Sequence, residues 1–201
     1  MKKIEFDEIK NIIEYEKLRL PFRRKIIAMK NKRRLKVGEL ITLTFENRST
    51  VVFQIEEMMR VERIVDDRKI RDEIETYNEL IPRENELSAT LFVEVDEQDK
   101  IRPVLDSLVG LNTNSVFLRI GDKSIPAVFE EGYATDDRIS AVQYVRFKFS
   151  AEDVAAFLTP RIPSEIVIEH KNYRARSVMA GEMREELIDD FNSGAMANVW
   201  T

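Results

Sequence analysis

The order of the hydrophobic periodicities predicts an α+β fold in which N-terminal helices pack with a largely antiparallel sheet and a C-terminal helix follows. Helical spacing of apolar residues dominates up to about residue 77. From Ser88 onward, short alternating runs separated by turn residues take over. There is no regular β–α–β alternation, which a parallel sheet would require. The 201 residues suit one domain. It is read here as residues 1–191 with a frayed tail at 192–201 in which Trp200 is exposed. The one place for a sub-boundary is near residue 87, dividing a mainly helical 1–86 from a mainly β 87–191.

The elements follow in order. Asp7 is placed to cap a first helix carrying Ile9, Ile12, Ile13 and Leu18. Pro21 suits the first turn of a second helix running to about Arg34, and Gly38 ends that unit. Leu40 to Phe45 alternates as a strand expected to join the later sheet. Ser49 or Thr50 caps a helix from Val51 to Arg63, whose centre consists of strong helix formers. Asp66 and Asp67 cap a further helix to about Tyr77. Ser88 to Val95 reads as a strand, and Lys100 to Val109 as a short helix closed by Gly110. Gly121-Asp122-Lys123 joins two strands, 116–120 and 124–129, as a hairpin. Ser140 to Phe149 is the longest strand. Ser150 and Asp153 form a variant capping box for a helix to Leu158. Glu165 to Glu169 is a strand ending at His170, and Met179 to Phe191 is the C-terminal helix.

The composition excludes several classes of function. With no cysteine, disulfides, thiol redox chemistry, cysteine-held iron–sulfur clusters and cysteine zinc sites are absent. One histidine rules out any site needing two imidazoles. No apolar stretch reaches the ~18 residues of a membrane helix, and the N-terminus has no apolar signal core, so a cytoplasmic location is expected. Six glycines in no phosphate-loop pattern exclude nucleotide binding by those routes. A di-iron bundle needs Glu-x-x-His on two helices, and the chain has none. No cofactor is expected.

Charge is distributed unevenly. Lys17 to Lys36 holds ten Lys and Arg and no acid, leaving 22 basic against 37 acidic residues elsewhere. The block is expected to meet the chain's own acidic half, since the net charge of −5 is the wrong sign for a dedicated nucleic-acid binder. Two charges interrupt apolar stripes. Glu62 lies in helical phase with Val51, Ile55, Met58 and Val65, and Arg33 with Phe22, Ile26 and Met29. A charge removed from water needs a partner, so Arg33 and Glu62 are expected to form a buried ion pair clamping two helices.

From Leu43 to Ile64 the residues also carry a likeness. Lys30-x-x-Arg33-Arg34, Gly38, Leu43-Thr44-Phe45-Glu46-Asn47-Arg48, Thr50-Val51, Phe53-Gln54-Ile55, Glu57-Met58, Arg60 and Glu62-Arg63-Ile64 make up a long block. Tyr77-Asn78-x-Leu80-Ile81-Pro82, Glu86 to Leu91, Ser140-Ala141-Val142 and Arg146-Phe147 extend it. The whole resembles a bacterial family catalogued as domain of unknown function 3501. Where that family reads His-Pro-x-Tyr, this chain has His170-Lys171-Asn172-Tyr173. The resemblance implies no activity. It implies a context beside rubrerythrin-like and cysteine-rich iron–sulfur oxidoreductases, and so an accessory role in a redox or oxidative-stress pathway.

The resulting expectation is a non-catalytic accessory or interaction protein with a protein partner, that partner being a rubrerythrin-like or iron–sulfur oxidoreductase if the resemblance holds. Self-association is left open. The expected contact surface is Glu46, Arg48, Glu57, Arg60 and Arg63. The first alternative is a metal- or carboxylate-dependent enzyme built on Glu62, Glu57 and His170, with Tyr173 beside it. The second is anion or nucleic-acid binding through the basic residues Arg23, Arg24, Lys30 and Arg34.

Overall fold

The computed structural model describes residues 1–134, 137–192 and 200. It is α+β, with two antiparallel sheets and a C-terminal helix. Helix α1 runs over Ile12–Lys32, followed by strands β1 (Arg34–Val37) and β2 (Ile41–Phe45). Helices α2 (Arg48–Glu62) and α3 (Asp67–Asn78) lead to β3 (Glu86–Val93) and the short α4 (Ile101–Ser107). Then come β4 (Val116–Ile120), β5 (Lys123–Pro126), β6 (Val128–Phe129) and β7 (Val142–Lys148). Helix α5 (Ala151–Leu158), β8 (Ser164–His170), β9 (Tyr173–Val178) and α6 (Gly181–Asn192) complete the chain.

One sheet has the order β1-β2-β3-β7-β6 and the other β5-β4-β8-β9. Alternation along the strands decides which layer each side chain meets. Leu43, Phe45, Leu87, Ala89, Leu91, Val145 and Phe147 point from the five-stranded sheet into a core shared with Leu118, Ile166 and Ile168 of the four-stranded one. Their neighbours face the other way. Ser88 donates to the carbonyl of Leu80 (2.6 Å), and Thr90 to Glu46 (2.6 Å), beneath a second apolar cluster built from α1, α2 and α3. Strands β2 and β3 are thus covered on both faces, which is why nearly every residue in them is buried. A division near residue 87 would fall inside β3, which pairs with β2 on one side and β7 on the other.

Several local expectations change. Helix α1 is continuous through Pro21 and is capped by Asn11, whose side chain accepts from the Glu14 N–H. Proline inside a helix removes one hydrogen bond. Here Tyr15, Phe22 and Ile26 bury one unbroken face across it, and that burial holds the helix together. The helix stops at Lys32 rather than continuing to Arg34, because Arg34 to Val37 alternates and pairs with β2. Asn47 caps α2 in place of Ser49, with Thr50 returning the capping-box bond. The hairpin after Gly121 divides at Pro126: β5 stays with β4, while β6 crosses to pair with β7. Strand β9 lies between His170 and Met179, where the sequence pattern assigned no element. Its outward residues, Arg174 and Arg176, hide an alternation whose inward members are only half-buried. Residues 193–199 and 201 of the expected frayed tail lie outside the described residues. Trp200 is not exposed: it packs against Tyr15 and Phe22 and donates to the Glu8 carbonyl (3.0 Å).

The β1–β2 turn is tied to the opposite sheet. Tyr173 Oη donates to the Val37 carbonyl (2.6 Å) and accepts from the Leu40 N–H (3.1 Å). Gly38 has φ +70°, and a Cβ there would stand 2.2 Å from Tyr173 Oη and 2.8 Å from Ala175 Cβ. Gly38→Ala therefore combines left-handed backbone with a steric clash, and a loss of about 1–3 kcal/mol or more is expected by urea unfolding. Adding Tyr173→Phe should recover part of that loss by removing the nearest atom. A Gly38→Ala protein with the wild-type midpoint would rule out this close approach.

Candidate interaction surface

Arg33 is fully buried, as its stripe predicts, but Glu62 is not its partner. The guanidinium donates from Nε to the Phe45 carbonyl (2.9 Å) and from Nη2 to the Glu46 carbonyl (3.2 Å), and it forms its ion pair with Asp190 of α6. Burial raises the Asp190 carboxyl above the usual range, and the attraction of Arg33 opposes that rise. The expected clamp between α1 and α2 is therefore a clamp between α1 and α6, reinforced by Lys32 with Glu182 (2.6 Å). Glu62 is exposed at the last position of α2, where the chain turns through left-handed Arg63 (φ 54°). Val65, further along the same stripe, is 76% exposed. The stripe runs off the end of the core.

The buried carboxylate of α2 is Glu56. The helix presents Val51, Val52, Ile55, Glu56 and Met59 inward, a face rotated from the expected one. Glu56 Oε1 accepts the Lys10 N–H (2.7 Å), and burial pushes its carboxyl up to about 8. Its neighbour Glu57 goes the opposite way. Arg19 binds it through two nitrogens (2.7 and 2.8 Å) and Tyr15 Oη donates at 2.6 Å, so its carboxyl is held below the usual range. One step around the helix separates a desolvated acid from one matched by a bidentate cation.

The residues expected to form a contact surface are mostly spent inside the fold. Glu46 is buried and accepts from the Thr50 and Thr90 hydroxyls. Arg48 is buried against Glu8 and the Lys2 carbonyl. Glu57 is taken by Arg19 and Tyr15, and Arg60 by Glu16. Only Arg63 of the set is exposed, because β2 and the first turn of α2 lie beneath α1 and the N-terminal segment.

The enzyme constellation does not assemble. His170 is buried, its Nε2 paired with the Val109 carbonyl (3.1 Å) and its Nδ1 near the Asn172 N–H (3.4 Å). It belongs to the four-stranded sheet, whereas Glu57 and Glu62 belong to the helical layer across the five-stranded sheet. Tyr173 is engaged with the β1–β2 turn. Among the described residues no three His, Asp or Glu side chains gather closely enough to hold a metal ion.

The basic block divides. Arg19, Lys32, Arg33 and Arg34 pair with Glu57, Glu182, Asp190 and Glu94, so part of the block does meet the chain's own acids. Lys30 lies over the Phe53 ring, 6.0 Å from its centroid. Lys17, Arg23, Arg24 and Lys25 are exposed and have no ion-pair partner among the described residues. At about 100° per residue, Ile13, Lys17, Leu20, Arg24 and Ile27 fall within roughly 80° of one another on the side of α1 opposite Tyr15, Phe22 and Ile26. The three aliphatic members are 71%, 62% and 40% exposed. This outer stripe went unremarked in the sequence. The signal was there, because Ile13, Leu20 and Ile27 recur every seventh residue, but the assumed break at Pro21 split it in two.

Among the described residues no helix is long and apolar enough to cross a membrane. No match is found among curated proteins. A crystal structure at 1.90 Å of a novel protein of unknown function from Burkholderia pseudomallei K96243 is similar. Its TM-score is 0.87 at 28% identity, over 94% of this chain and 99% of that one. The family model described as "Protein of unknown function (DUF3501)" matches residues 3–191. With that span and the motif blocks from Lys30 to Phe147 lying inside it, the chain belongs to the DUF3501 family.

Proposed function

We propose that this chain is a non-catalytic interaction protein, one domain over residues 1–191, that docks a protein partner through the outer face of α1. The observation that supports this best is the line of exposed aliphatics at 13, 20 and 27, interleaved with Lys17 and Arg24, which have no ion-pair partner among the described residues. Apolar side chains aligned along one face of a helix are the anchors by which helices pack against a partner. The polar groups that turnover would need are committed elsewhere: His170 to a carbonyl, Glu57 to Arg19 and Tyr15, and Glu46 to two threonines. The narrower reading, a rubrerythrin-like or iron–sulfur oxidoreductase as partner, comes from the family resemblance alone. Co-purification with such an oxidoreductase from native cells tests it.

The test of the surface is site-directed. A photo-crosslinking amino acid at position 20 should give a discrete protein adduct in cells, and one at exposed position 171, on the β8–β9 turn, should not. Reversing Arg23 and Arg24 to Glu should remove the adduct and leave the thermal melt unchanged, because neither residue has an ion-pair partner among the described residues to lose. An adduct that survives the double reversal would remove this face from consideration.

A further inference from the structure

We infer that the outer face of α1 is built for an acidic amphipathic helix, whose aliphatic side chains lie along Ile13, Leu20 and Ile27 while its carboxylates meet Lys17, Arg23, Arg24 and Lys25. The inference rests on the docking reading above and names the chemistry of the partner. The seven-residue recurrence matches one of the two seam positions of a coiled-coil heptad, and the other, four residues on, is held by Lys17 and Arg24. The helix is preorganised for the purpose. Arg19–Glu57 and Glu16–Arg60 fasten it to α2 along the side that leaves positions 13, 20 and 27 outward. A partner therefore meets a rigid helix of 21 residues, about 31 Å long by the usual rise per residue.

Charge selects the occupant. The stretch from Lys17 to Lys36 has no acid of its own, so the cations beside the stripe create a one-signed field. A second copy of α1 is a poor match. In an antiparallel pair centred on Leu20, Lys17 would face Arg23 of the copy, and Arg24 would face Glu16, which is already bound to Arg60. A membrane surface is also a poorer match. The aliphatic stripe is about 80° wide, narrower than the apolar face of ~100° or more that a helix lying in an apolar phase presents, and no aromatic residue stands on it.

The probe is a fluorescein-labelled synthetic 21-residue peptide with Leu at the a and d positions of each heptad and Glu on its remaining faces. The full chain is titrated against it by fluorescence anisotropy. A matched peptide with Lys replacing Glu and vesicles of phosphatidylglycerol are run in parallel, and sedimentation velocity reports self-association. The acidic peptide should bind, and more tightly at 50 mM than at 300 mM salt. Leu20→Glu and Arg24→Glu should each weaken it tenfold or more, whereas Arg174→Glu, on β9, should not. Equal binding of the two peptides, association with the vesicles alone, or a dimer abolished by Leu20→Glu would overturn the inference. If position 20 crosslinks to a protein in cells while the acidic peptide does not bind, the partner chemistry is wrong and the docking surface stands. If neither occurs, both fall.

Discussion

Arg33→Ala is expected to destabilise the chain by about 3–5 kcal/mol, the cost of breaking a buried ion pair by removing one partner. The guanidinium is the largest of the fully buried side chains and carries three separate ties: the Phe45 carbonyl, the Glu46 carbonyl and Asp190. Its removal leaves two carbonyls and a desolvated carboxylate without a donor, together with a cavity at the junction of α1, β2 and α6. Asp190→Asn should cost less than Asp190→Ala, because an amide oxygen still accepts from Arg33. Arg33→Lys should stay well below wild type, since an ammonium cannot reproduce the forked geometry. Urea unfolding of the four variants gives this ranking. A midpoint for Arg33→Ala within experimental error of wild type would show that α6 is not fastened here.

Glu56→Gln should make the protein more stable than wild type above about pH 7, and the gain should vanish toward pH 5. The folded carboxyl is pushed up to about 8 by burial, against an ordinary value of 4.5. The folded state therefore holds a proton that the unfolded chain has already released across that window. Stability from this group is complete below about pH 4.5 and is lost as pH rises through about 8. Glutamine keeps the oxygen that accepts the Lys10 N–H and has no charge to desolvate. The difference at pH 8 is on the order of a few kcal/mol. Urea midpoints measured from pH 5 to 9 should fall for wild type and stay flatter for Glu56→Gln. Parallel curves would mean that Glu56 is solvated as an ordinary carboxylate. Glu57 has the opposite sign: its folded value is lowered, so its contribution is present at neutral pH and lost on acidification.

Much of the fold was legible because short-range rules wrote it. Asp66 caps α3, Ser150 and Asp153 cap α5 reciprocally, and Val51 to Phe53 is helical as the surrounding helix formers imply. Strand β2 joins the later strands, as expected of its alternating pattern. The misses share a cause. On α2, the rows 51-55-58-62 and 52-55-56-59 are both periodic at 3.6, and nothing local chooses between them. The choice falls to the neighbours that cover the helix, and it moves the buried acid from Glu62 to Glu56. Arg33 announced itself as a charge in an apolar row, yet its partner lies 157 positions away. Of the candidate site, the cations of α1 could be read directly. That Arg48, Glu57 and Arg60 would be consumed internally could not, because their partners Glu8, Arg19 and Glu16 come from another segment folded across them.

Composition, caps and period thus suffice to say that this chain makes helices first and antiparallel strands after, without cysteine chemistry and with one densely basic helix. Those properties depend on contacts within about four residues or on simple counting. Which face of each helix turns inward, which acid meets Arg33, and which cations are left facing outward depend on long-range packing. Burial free energy is summed over surfaces from segments far apart in the chain, so only the assembled layers could set them.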